Sequence, residues 1–393
     1  MPIQNPKKPN TSGTQELEVT KRNKPLLILG AIALIIVGAI AFLELQKSSG
    51  GAKGNIDQQV VLPATSTIEE KAKMYDTAKE IVAPAGFINT GGEEIKIQDY
   101  IGKKVILVDF WTYSCINCQR TLPYLTSWYE KYRDSGLEMV GIHSPEFEFE
   151  KDQENVQKAV EKWGVEYPVV LDNDFGTWKN YQNRYWPHKY LIDIDGFIVY
   201  DHIGEGAYDE TERKIQELLV ERMEKLGQAG QVSTDISTPE GVEEVDYVRQ
   251  RSPEVYFGAL RNELMGNGLK LKVGEQDLST PENTLQNMFY LDGRWNITEE
   301  FITNLEPRAK ITFKYQGEKV FMVARADSDV TLTILLDGKP ISEQAGSDVK
   351  NSQVIVSQDG LYRLVEDPNG WGEHTLEIII ENPGLEAFTF TFG

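Results

Sequence analysis

Residues 104–111, "KVILVDFW", are almost wholly apolar, with one aspartate inside the run. A strand of that kind has to be covered on both faces, so it belongs near the centre of a sheet with helices packed on it. It leads into "TYSCINCQRTLPYL", which holds Cys115 and Cys118, the only 2 cysteines of a 393-residue chain. "QRTLPYLTSWYEKYRD" then reads as a helix. Over 81–226 the signals alternate: "EIKIQDY" as a strand, "LEMVGIHS" as a strand, "NVQKAVEKW" as an amphipathic helix and "YPVVLD" as a short strand. "KYLIDIDGFIVYDHIG" reads as a hairpin turning at Asp195-Gly196, and "DETERKIQELLVERMEKL" as a closing helix. Alternation of this sort predicts an α/β layer fold, a central sheet flanked by helices.

Flanking regions have other characters. Leu26 to Leu43 is an uncharged apolar run of about 27 Å as a helix, close to the hydrocarbon thickness of a bilayer. Lys21, Arg22 and Lys24 precede it, which by the positive-inside rule keeps that end cytoplasmic and exports the rest. The expected organisation is a cytoplasmic leader at 1–24, a single transmembrane anchor at 25–45 and a tether at 46–80. A cleaved signal peptide is the competing reading, because Ala39-Ile40-Ala41 resembles a cleavage site. Residues 227–269 read as a connecting segment. From 270 to 393 strand signals with turns at Asp337-Gly338 and Asp359-Gly360 predict an all-β sandwich or jelly roll. Phe388, Phe390 and Phe392 alternate along its last strand. The formal charge of −21 argues against a nucleic-acid partner.

Three chemistries use a C-x-x-C. Structural zinc needs two further ligands, and the 4 histidines show no paired spacing, so no metal is expected. Covalent haem needs a histidine after the second cysteine, where Gln119 stands. A redox dithiol fits. A helix N-terminus favours the thiolate of Cys115 as nucleophile, and Cys118, one turn on, can resolve a mixed disulfide. No cofactor beyond the dithiol is implied.

"VILVDFWTYSCINC" resembles the active-site strand and turn of thioredoxins, with Ile116-Asn117 in place of their Gly-Pro. The resemblance implies that Asp109 is a buried acid assisting Cys118, that Pro123 kinks the helix, and that Pro187 is the family's cis-proline beside the dithiol. The longer insert between "VGIHS" and "YPVVLD" resembles membrane-anchored proteins of the TlpA and ResA type. That likeness makes Glu146, in "HSPEFEFE", a candidate catalytic acid. Trp111, Tyr113, Trp186 and Pro187 are candidate substrate-binding residues, with core packing as the alternative for both tryptophans, and His188 reads as an exposed bystander, with tuning of the dithiol as the alternative. Further along, "NRYWPHKYLID", "RSPEVYFGALRNE" and the terminal "FTFG" are similar in order to the extracytoplasmic half of DipZ-type proteins. This implies protein thiol or disulfide substrates, a CcdA-like membrane electron donor, and a β-sandwich likened to carbohydrate-binding modules. Trp295 and Trp371 could stack on sugars, although packing roles compete. Helix-dipole stabilisation alone suggests a reductase or isomerase over an oxidase. Two other classes stay open: a thiol peroxidase, because Thr112-Tyr113-Ser114-Cys115 ends like a T-x-x-C peroxidase signature, and a cell-surface binding protein acting through its β region.

Overall fold

A computed structural model describes residues 67–243, 245 and 248–393. The leader, the anchor and most of the tether lie outside the described residues. Among those described, no helix is long and apolar enough to cross a membrane.

The first part is a six-stranded sheet in the order β1-β4-β3-β2-β5-β6. Its strands are β1 (Gly86–Ile88), β2 (Val105–Trp111), β3 (Leu137–His143), β4 (Val169–Leu171), β5 (His188–Ile192) and β6 (Ile198–Ile203). β2, β3 and β4 run parallel, while β1, β5 and β6 are antiparallel to their neighbours. β2 is central, and all 7 of its residues are buried, as its composition requires. Its alternation sorts side chains onto two cores. Ile106, Val108 and Phe110 join one face; Val105, Leu107 and Trp111 join the other, which also holds Cys118. Asp109 has the parity of the second set.

The helices are α1 (Ile68–Met74), α2 (Ile116–Tyr132), α3 (Gln153–Lys162), α4 (Gly176–Asn180) and α5 (Tyr208–Lys225). α2 buries Cys118, Leu122, Leu125 and Tyr132, spaced to form one helical face. α1, within the presumed tether, begins with a Thr67–Glu70 capping box. Its Lys71 is buried against Asp193 (2.6 Å), Asp195 (2.8 Å) and Glu221 (2.5 Å), which fastens it to the β5–β6 turn and α5. "EIKIQDY" forms no strand: Glu80 accepts the Ile97 and Gln98 N–H groups (2.8 and 3.2 Å) and a short 3-10 turn results.

The remainder is all β. β7 (Val255–Tyr256), β8 (Gly274–Leu278), β9 (Phe289–Ile297), β10 (Ile302–Asn304), β11 (Ala309–Gly317), β12 (Lys319–Arg325) and β13 (Val330–Leu336) come first. β14 (Lys339–Pro340), β15 (Gln353–Val356), β16 (Gly360–Glu366), β17 (Gly372–Ile380) and β18 (Glu386–Phe392) complete it. These strands form one twelve-stranded sheet that curls over a single core, in place of the two separate sheets expected of a sandwich. The fold-over occurs in β9, which pairs with β11 up to Asp292 and with β8 and β10 beyond it. Gly293 sits at that bend with φ +95°, and a Cβ there would come within 2.9 Å of the Glu306 carboxylate. Trp295 is wholly buried, its indole N–H given to the Asp292 carbonyl, so it cannot stack on a sugar.

The connecting segment packs along the folded parts where it is described. Gln216 and Lys131 both donate to the Asp235 carbonyl, and Ser237 donates to Glu212. Phe257 and Met265 lie in the β core. The two parts share an apolar seam. In β18 the register against β12 slips between Thr389 and Ala387, leaving Phe388 as the extra residue of a bulge. Phe390 and Phe392 stay in the β core, while Phe388 turns to Phe147 and Phe149 (ring centroids 4.9 Å each) beyond β3. The simple three-phenylalanine alternation read from the sequence therefore fails at its first member.

Candidate active site

β2 ends and α2 begins within five residues, and the turn between them carries the dithiol. Cys115 is the N-cap of α2 and is partly exposed; Cys118, one turn inside, is buried. The Cys115 thiol points to the Trp186 carbonyl at 4.0 Å, just before the cis Trp186–Pro187 bond. Burial, reinforced by Cys115 and by the Asp109 carboxylate, pushes the Cys118 thiol well above its ordinary range. The pair is thus divided into an accessible sulfur at a helix N-terminus and a protonated one behind it. For Cys118 to attack, a base has to take its proton.

Asp109 is a buried acid close enough for its charge to act on Cys118. It is 1% exposed, and neither carboxylate oxygen has a hydrogen-bond partner. Burial raises it to about 7, opposed by the positive charge of Lys189. Lys189 is its register partner across the β2–β5 ladder, fully buried, with Nζ donating to the Gly204 carbonyl at 2.9 Å. Desolvation pulls the Lys189 ammonium down, while Asp109 and Cys118 support its charge. Acid, lysine and resolving thiol are all buried and act on one another through their charges. Nothing in the sequence singled out Lys189; its strand was legible, its register against β2 was not.

A second buried acid lies under the turn. Glu150 accepts the Ser114 hydroxyl at 2.6 Å and the backbone N–H groups of Glu146 and Phe147 at 2.5 and 3.0 Å. Burial raises it to about 7. Its neighbour Glu146 lines the same cleft as Cys115 and is held by the β part: it accepts from Arg261 at 2.8 Å and from the Tyr256 hydroxyl at 3.0 Å. Of the other sequence candidates, Trp186 reaches the cleft, its N–H fixed by the Ser144 carbonyl at 2.9 Å. Trp111 does not: it is fully buried, edge-on to His143 at 5.2 Å, so packing decides its place. Tyr113 turns away to donate to Asp359 of the β part at 2.5 Å. His188 is not exposed as expected: it is buried between Asn183 (2.6 Å) and Asp201 (3.0 Å), its basicity lowered by burial. The acidic trio Asp193, Asp195 and Glu221 already surrounds the Lys71 ammonium.

Residues 74–201 match the AhpC/TSA family and residues 252–393 a thioredoxin-like C-terminal domain. The chain is similar to thioredoxin-like proteins over both parts. Protein DipZ of Mycobacterium bovis is 36% identical over 320 residues, covering 81% of this chain and 43% of that protein. The chain therefore spans less than half the length of DipZ. Thiol-disulfide oxidoreductase ResA of Bacillus thuringiensis is 26% identical, covering 50% of this chain and 98% of ResA. Among solved structures, a putative thiol:disulfide interchange protein DsbE from Chlorobium tepidum is similar over 38% of this chain and 96% of its own, at 21% identity and TM-score 0.32.

Proposed function

We propose that this protein is a thiol–disulfide oxidoreductase working outside the cytoplasmic membrane, anchored by its apolar N-terminal run. The observation that carries the reading is the division of the dithiol: Cys115 partly exposed at a helix N-terminus, Cys118 buried beside an acid whose oxygens have no partner. The Cys115 thiolate attacks one sulfur of a substrate disulfide and releases the other as a thiol after protonation. The Cys118 thiol then gives its proton to ionised Asp109 and attacks the Cys115 sulfur. Substrate leaves with the bond electrons as a thiolate, which takes up a proton, and Cys115–Cys118 is left as a disulfide. Electrons from a CcdA-like membrane donor regenerate the dithiol, in a direction that makes the protein a reductase or isomerase, with thiol pairs of cytochrome c maturation or of envelope proteins as clients. Trp186 and Pro187 form the substrate rim beside the sulfur, and Glu146 is a nearby acid.

Trapping tests the mechanism. A Cys118→Ser protein should accumulate mixed disulfides through Cys115, and a Cys115→Ser protein should not; absence of any trapped partner overturns the assignment. The reduction potential tests direction. A value near ~−270 mV fits a reductase, and one near ~−120 mV an oxidant. The AhpC/TSA match favours one second reading, a thiol peroxidase using Cys115 beside Thr112. Peroxide-dependent turnover by the Cys118→Ser protein would establish it.

A further inference from the structure

The cleft that exposes Cys115 has two walls, and only one is thioredoxin-like. It encloses about 530 Å³. Arg184, Tyr185 and Trp186 line one side, while Arg251, Tyr256 and Arg261 of the β part line the other. The second wall is fixed in place. Arg261 is ion-paired to Glu146 and lies over the Tyr256 ring at 3.6 Å, and Arg251 donates to the Phe392 carbonyl at 3.2 Å. A folded partner docks through roughly 800 Å² of its own surface. A walled cleft in the size range of small-ligand pockets cannot offer that, but it can take a few residues of chain.

The charge of the cleft is opposite to that of the protein. The chain carries 61 acidic and 40 basic side chains, yet the cleft is lined by three arginines against Glu146 and Glu254. Arg261 is neutralised by Glu146. Among the described residues, neither Arg184 nor Arg251 forms a close ion pair with a carboxylate, although the Arg251 charge acts on buried Glu205, and the two stand on opposite walls. We infer that the β part is half of the substrate site, and that the site selects a polypeptide segment carrying carboxylates beside its disulfide, gripped between Arg184 and Arg251. The inference rests on the oxidoreductase reading and names its substrate class.

The test mixes the reduced full-length protein with three cystine-bridged fluorogenic peptides of equal length, their cystines flanked by Glu, Ser or Lys. The Glu peptide should be reduced about tenfold faster than the Lys peptide at low ionic strength, with the ratio shrinking in high salt. Arg251→Glu should bring the ratio to one or below. Arg184→Glu should do the same independently, and its exposed position lets the fold survive the change. A folded acidic protein with a surface disulfide should react no faster than the Lys peptide. Equal rates for all three peptides, or an unchanged ratio in both variants, would overturn the charge selection. A folded acidic protein reacting as fast as the Glu peptide would overturn the two-walled grip. If no peptide is reduced at all, the oxidoreductase reading itself falls and takes this inference with it, an outcome distinct from equal but measurable rates.

Discussion

Replacing Lys189 by methionine tests the proton-transfer group directly. Directly opposed side chains on antiparallel strands have Cβ atoms about 5 Å apart, which puts the two charged ends at roughly 6 Å. At an effective dielectric of about 20, such a pair interacts by ~3 kcal/mol, or ~2 pKa units. Asp109 stands at about 7 with the lysine present, and Lys189 is the charge that lowers it. Removing that charge should carry Asp109 to roughly 9, so its ionised fraction at pH 7 falls from about half to about one in a hundred. Resolution by Cys118 should then slow by up to ~50-fold at pH 7, and its pH profile should move up by ~2 units. Stopped-flow mixing of the reduced protein with an aromatic disulfide separates the steps: a first burst of coloured thiolate marks attack by Cys115, a second marks resolution by Cys118. Only the second phase should change its pH midpoint. A merely structural lysine would alter amplitudes or stability and leave that midpoint where it was. An unmoved or lowered midpoint would refute the coupling argued for Asp109 and Lys189.

Other consequences are simpler to read. The fold raises Asp109 from an ordinary 3.8 to about 7, so it disfavours the ionised form, and this cost grows as pH climbs from about 4 through 7. An Asp109→Asn, Lys189→Met double variant lacks that slope, so its stability relative to the native protein should rise by ~1–4 kcal/mol between pH 4 and pH 7, on top of an offset across that whole window from removing the desolvated Lys189 ammonium, as urea melts at several pH values will show. Lys71→Met leaves Asp193, Asp195 and Glu221 without their shared ammonium and should cost ~3–5 kcal/mol; a cost under ~1 would mean that Lys225 suffices. Glu150→Ala strips the acceptor from Ser114 and from two backbone N–H groups, so a loss of ~3 kcal/mol or more is expected in thermal unfolding, and a neutral result would show that water takes over. Phe388→Ala opens a cavity between the two parts and should cost ~3–5 kcal/mol, measurable by calorimetry.

What could be read from the chain follows physical range. β2 and α2 were legible because their signals are local: an apolar run for a central strand, and a helical face of Cys118, Leu122 and Leu125. The parity that puts Asp109 on the Cys118 side is local too, since it needs only counting by twos along β2. Lys189 was not legible in the same way. A lysine in "HKYLI" reads as the polar member of an alternating strand, and it becomes buried only because β5 pairs with β2 in a register that sets it opposite Asp109. Register is a pairwise property of two strands some eighty residues apart, and shifting it by one would send the ammonium to the other face. The same limit explains Phe388. A bulge is one extra residue measured against a partner strand, so no single strand announces it. Glu146 and Glu150 show the remaining case. Four residues apart in one acidic loop, they look equivalent in sequence, yet one is held at the cleft by Arg261 and Tyr256 while the other is sealed beneath Ser114. The β part that makes this distinction begins a hundred residues later, and the chemistry of the dithiol loop is set by a surface its own segment does not contain.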